Sequence, residues 1–252
     1  MKRSMISLIA ALMTLYGCSN NPADSTETTL TENEEQLIVA AELSQNSGGT
    51  MAEIEMAAEV TSEAALSLAK SAGLDTAITN GWITYTLSLS FFAADGQEQN
   101  IYIDGQTDRI VWAGALAGSY APETGRQEIN LNKNSDLEIT GITTGLMKIN
   151  GTSTNNSSYK FTGPRTNLDV QVESSILIQD VVIDKNSSAK LPLSGRLEAS
   201  LKGTFTKEGV LQQKDVKYNI NFTVEFKGGS EVTVTLPSGN QFTVNLVSGE
   251  VS

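Results

Sequence analysis

Catalysis needs side chains that attack, shuttle protons or hold a metal, and this chain is short of them. It has a single cysteine, Cys18, and no histidine. Cys/His nucleophilic pairs, histidine general bases and the usual zinc ligand sets are therefore excluded. Ser67-Leu68-Ala69-Lys70 and Ser187-Ser188-Ala189-Lys190 have the Ser-x-x-Lys spacing of serine acyl-enzymes, where the lysine assists the serine. The companion Lys-Thr-Gly is absent, and a chain this rich in serine and lysine produces such spacings by chance. Asp104 and Asp108 flank a turn with two hard carboxylates, but calcium takes about six to eight oxygens and no acidic loop supplies them. Trp82 and Trp112 could stack on sugars, yet both lie in apolar strand patterns where a core role is commoner. Carboxylate pairs at glycosidase spacing depend on the fold alone. No catalytic, cofactor-binding or metal residue is assigned, and the one site residue is Cys18, as a point of modification.

Cys18 follows a basic start, Lys2 and Arg3, and an apolar run from Met5 to Tyr16. That run is shorter than the ~20 residues a membrane-spanning helix requires and has the length of an export signal. Leu15-Tyr16-Gly17-Cys18 resembles the lipobox of bacterial lipoproteins. The resemblance implies cleavage before Cys18, acylation of that residue, and a mature protein held on the membrane, since each buried CH2 of an acyl chain contributes ~0.8 kcal/mol. Ser19 stands where an aspartate favours inner-membrane retention, so the resemblance points to the outer membrane, with the leaflet open.

Charge divides the mature chain. Losing Lys2 and Arg3 with the signal takes the formal charge from −12 to −14. So acidic a chain, with no basic and aromatic stripe, is a poor match for nucleic acid. Residues 18–80 carry 11 acidic groups against Lys70 alone, whereas residues 81–252 carry 18 acidic and 14 basic. Residues 18–30 are polar and acidic without apolar periodicity, the composition of a lipidated, flexible tether.

The elements follow from period and capping. Thr31-Glu32-Asn33-Glu34 and Thr50-Met51-Ala52-Glu53 both read as capping boxes, predicting helices over 31–44 and 50–71 with Ser47-Gly48-Gly49 between them. Ile54, Ala57, Ala58 and Thr61 gather on one face of the second helix, with Glu55 and Glu59 on another. From Gly81 the period becomes two. Ile83, Tyr85, Leu87, Leu89 and Phe91 alternate with polar residues, and so do Val216, Tyr218, Ile220, Phe222, Val224 and Phe226. One apolar and one wet face mark antiparallel strands. Shorter strands are expected at 128–131, 137–142, 146–150, 168–172, 176–184 and 197–205, and Pro192 fits an edge or a bulge. The row Ala113, Ala115 and Ala117 invites close approach, either by the alanine-rich helix or by another sheet.

The expected organisation is a signal peptide over 1–17, a lipidated N-terminus and tether over 18–30, a helical segment over 31–80 and a β domain over 81–252. The fold class is mainly β: an antiparallel meander, as a sandwich or an open curved half-barrel, preceded by a helical hairpin. Two functions fit. One is a non-catalytic structural or binding module of the cell envelope, with an envelope protein as partner. The other is a carrier of a lipid or other apolar ligand in a curved sheet. Short strands and few aromatics (6 %) disfavour a transmembrane barrel.

Overall fold

The computed structural model describes residues 29–61, 76–80, 82–121, 127–209 and 213–252. Cys18 and the tether up to residue 28 lie outside them, as do Ser67 and Lys70. Two helices come first, α1 (Glu32–Leu43) and α2 (Thr50–Val60). Strands follow: β1 (Thr76–Asn80), β2 (Ile83–Ala93), β3 (Glu98–Gln99), β4 (Thr107–Tyr120), β5 (Gln127–Thr140), β6 (Leu146–Thr162), β7 (Thr166–Asp184), β8 (Pro192–Gly209), β9 (Gln213–Phe226), β10 (Glu231–Thr235) and β11 (Gln241–Asn245). They form one antiparallel meander in chain order, with β3 pairing β2 off the main path, and the sheet does not close into a barrel. The sandwich alternative is thereby set aside. Local hairpins suffice because each strand is followed by its neighbour.

β2 and β9 match the alternating runs, but β5 to β8 are far longer than the short pieces expected. β5 joins the segments 128–131 and 137–142, and β6 to β8 run for 17, 19 and 18 residues. The sheet also begins at Thr76, five residues before Gly81. Thr76, Ile78 and Thr79 are β-branched, and Asn80 pairs with Ile83 on β2. Bulges bend the long strands near Gly151 and between Gln179 and Ile183. At Gly151 (φ +149°) a side chain would begin 2.1 Å from Asp136 O, so only glycine allows the bend. Pro192 opens β8 beside the second bulge, as its missing N–H requires.

Thr31 caps α1 as the sequence indicates: Glu34 N donates to Thr31 Oγ1 (3.3 Å) and Thr31 N to Glu34 Oε2 (2.9 Å). The second capping box does not form. Gly49 is the N-cap of α2, Thr50 Oγ1 donates to Glu42 O (3.3 Å), and Glu53 turns inward instead of back to the cap. The expected continuation of α2 to residue 71 lies outside the described residues.

The helices sit inside the curl of the sheet. Leu37, Ile38, Val39, Ala40, Glu42 and Leu43 are all buried, and a helix buried on so many consecutive residues is enclosed on more than one side. The hairpin loop measures the curl. Gln45 N and Asn46 N donate to Leu246 O (2.8 Å) and Val247 O (3.2 Å), just beyond β11, while a side chain at Gly48 would begin 3.0 Å from Leu131 Cδ1 on β5. On a flat sheet β5 and β11 stand six spacings apart, about 29 Å. Three residues of chain reach only about 10 Å, so the two strands have curled toward each other around the helices.

The apolar faces read from the sequence point into this interior. Phe222, Val224, Val234 and Val244 are buried together with Leu87, Phe91, Ile110 and Trp112. The alanine row does not. Ala113, Ala115 and Ala117 are exposed on the outer face, and α2 packs against the opposite side of β4 to β6. Alternation decides this: Trp112 and Leu116 claim the interior, which leaves the alanines outside.

Candidate functional site

Midway along β5, β6 and β7 the inward positions stop being apolar. Lys133, Asn155 and Ser174 are directly opposite one another across the three strands, and Ser135 and Ser153 form the next row. Each row receives one carboxylate from a helix. Glu42 of α1 accepts from Lys133 Nζ (3.1 Å) and Ser174 Oγ (3.0 Å) through Oε1, and from Asn155 Nδ2 (2.9 Å) through Oε2. Glu53 of α2 accepts from Ser153 Oγ (2.6 Å). Ser157 donates to Asn155 Oδ1, and Trp112 Nε1 donates to Ser135 Oγ (3.2 Å), so the polar patch is continuous.

Burial is nearly complete, with Glu42 at 2 % and Lys133 at 1 % exposure. Taking an ammonium and a carboxylate out of water costs several kcal/mol each, which contact and additional hydrogen bonds must offset. Here they do: Glu42 has three donors, and among the described residues no buried side-chain nitrogen or oxygen lacks a partner. Glu53 is less well supported. Burial pushes its carboxyl above the ordinary glutamate value, against the pull of Lys133 and the Ser153 hydroxyl. Burial, reinforced by the charge of Glu53, also raises the Tyr85 phenol to about 12. Tyr159 and Tyr218 are raised too, by burial first and by Glu42 next, and the Tyr218 hydroxyl donates to Gln171 O (2.7 Å).

A second ion pair fastens the start of α1, where Lys214 Nζ lies 2.6 Å from Glu34 Oε2 and is 5 % exposed. Burial alone would raise Glu34, but Lys214 and the Thr31 N–H outweigh it and hold the carboxyl below its usual value.

The cluster has the residue types of an acid–base site without room for a substrate. The space bounded by Glu53, Tyr85, Trp112 and Ser135 is about 10 Å³, the volume of one water at most. What this arrangement does is hold two helices against three strands at one register.

The residues singled out in the sequence are not brought together. Asp108 Oδ1 accepts from Thr143 Oγ1 (2.6 Å), Asp104 is exposed, and no group of three potential metal ligands exists among the described residues. Lys190 Nζ donates to Lys185 O, and Ser187 Oγ accepts from Ala189 N (3.4 Å). Trp112 is buried under α2, and Trp82 packs on Tyr120 with ring centroids 5.7 Å apart.

Larger concavities open on the outer face. A groove of about 500 Å³ crosses β5 to β8 between Asn132, Asn134, Asn156 and Lys202, and one of about 420 Å³ continues over β7 to β10 past Asn221 and Pro237. They meet at Ser175 and Ser200, which line both. Comparison with known proteins found no matching family model, no similar curated protein and no similar solved structure.

Proposed function

We propose that the protein is a non-catalytic structural or binding module of a bacterial cell envelope, held at the outer membrane by acyl chains on Cys18. The acidic stretch before Thr31 lifts the domain off the headgroups, and the module works through its outward-facing sheet surface. One observation carries this reading: among the described residues, the chain's own helices α1 and α2 lie buried against the inner face. A carrier of lipid or another apolar ligand needs a pocket of about 300–1,000 Å³, and the space under α2 is about 10 Å³. The interior carboxylates Glu42 and Glu53 are each hydrogen-bonded to the sheet, which also argues against catalysis there.

The test is extraction of the protein from its native host. The mature N-terminal peptide should carry acyl chains on Cys18, Cys18→Ser should abolish membrane partitioning, and mass spectrometry of the Cys18→Ser protein should find no stoichiometric lipid. A wild-type protein with a free Cys18 thiol, or noncovalent lipid at one per chain, contradicts the proposal.

A further inference from the structure

We propose that the outer groove across β5 to β10 is a binding site for a neutral glycan. This rests on the outward-facing reading above and adds the ligand's chemistry. The joined grooves fall in the size range of small-ligand sites. Their outward side chains are amides and hydroxyls: Asn132, Asn134, Asn156 and Asn221, with Ser175 and Ser200 where the two halves meet. Each such group both donates and accepts, as each sugar hydroxyl does.

These six side chains are uncommitted, making no hydrogen bond to other described residues. Some polar groups elsewhere on the outer face engage one another, as Asn130 does with Glu128 (3.2 Å) and Gln171 with Asp169 (2.8 Å). The charged side chains at the groove lie in exposed pairs: Lys202 lies 2.9 Å from Glu173, and Glu198 lies 3.0 Å from Arg196. An ionic ligand therefore competes with these pairs for its counter-charge, and the acidic chain repels sulfated or phosphorylated polymers.

Other ligand classes fit less well. Extended peptides bind by adding to a sheet edge, and here the strands are interior, with their backbone groups already in ladders. Lipids need an enclosed apolar pocket, whereas these grooves lie open on the sheet surface and their exposed apolar side chains are Leu177, which is 39 % exposed, and Pro237. That small patch suits the C–H face of a sugar ring. No aromatic platform lines the groove apart from inward-facing Phe222, so single-site binding is weak, and a repeating polymer gains strength by multivalency.

The experiment is an amide-resolved NMR titration of the full mature chain carrying Cys18→Ser. The probes are cellohexaose, chitohexaose, a sulfated hexasaccharide and dodecylphosphocholine. The expected result is that a neutral hexasaccharide shifts the amides of Asn134, Asn156, Ser175 and Ser200 saturably. Ser175→Ile, a strand-compatible residue at an exposed position, should leave the unfolding midpoint unchanged and weaken that binding about tenfold or more, because it fills the groove where its halves join. The site is overturned if neither neutral sugar moves these amides, if the sulfated one binds more tightly, or if Ser175→Ile leaves binding intact. Failure with the sugars while inner-face amides such as Ile178 and Val224 ignore the detergent leaves the outward-facing module standing. Detergent shifts confined to those inner amides overturn both.

Discussion

Two parts of the same inner face are built on opposite principles. Over β9 to β11 every inward side chain from Val216 to Val244 is apolar or aromatic, so burial dominates there, with the Lys214–Glu34 pair at the start of β9 and the loop contacts beyond β11 as its polar edges. Over β5 to β7 the inward row is Lys133, Asn155 and Ser174, and Glu42 of α1 is threaded into it by three polar contacts. The apolar half supplies cohesion without choosing a position, since hydrophobic contact has no direction. The polar half supplies direction. A helix shifted by one turn, about 5.4 Å, would still find apolar neighbours but would strand Lys133 without its carboxylate. We read the buried pair as the device that fixes where the helices lie, a role for which buried polar groups are attested more often than for net stability.

This contrast can be broken from either side. Lys133→Ala leaves Glu42 buried and uncompensated and should destabilise the fold by about 3–5 kcal/mol, measured by denaturant unfolding. Phe222→Ala, in the apolar half, should cost a similar ~3–5 kcal/mol through its cavity. The two halves separate in the charge-free variant. Glu42→Leu with Lys133→Met should lose less than Lys133→Ala, because it leaves no buried charge and only the neutral donors of Asn155 and Ser174 without their acceptor, while broadening the amide signals of α1 as its position becomes less defined. An equally deep loss in that double variant would show that the pair contributes cohesion and not position.

A smaller effect concerns Glu53. Its folded-state carboxyl titrates above the ordinary glutamate range because of burial. The folded protein therefore takes up this proton more readily than the unfolded chain. Stability falls as pH rises from the ordinary value through the raised one, and is fully present below that window. Glu53→Gln should remove this slope, so the variant's thermal midpoint gains on wild type as pH rises from about 4.5 to 8. A constant difference across that range would mean that Glu53 titrates alike in both states.

The apolar half was legible in the sequence because its alternation is unbroken, so both the strands and their inward faces could be read. The α1 cap was legible too, because a capping box is local. The polar half was not. Asn132 to Asp136 and Thr152 to Ser158 look like loop composition, and they split the expected β5 into two pieces and end the expected β6 at Asn150. Those residues are strand because Glu42 and Glu53 reach them from 91 to 113 positions away, a partnership no local pattern contains. Single glutamates at 42 and 53, each on the otherwise apolar side of a helix, were the available signal. Thr50-Met51-Ala52-Glu53 misled for the same reason: a capping box assumes that its glutamate has nothing better to bind, and Ser153 at 2.6 Å is better.

The central claim is that α1 belongs to the folded interior and is not a lid over it. Native-state hydrogen exchange of the full chain tests this residue by residue. The account predicts that the amides of Val39, Ala40 and Leu43 exchange as slowly as those of Ile178 and Val224, opening only with the whole domain. Exchange of the α1 amides about a hundredfold or more faster than the sheet amides, under conditions where the sheet stays protected, would contradict it.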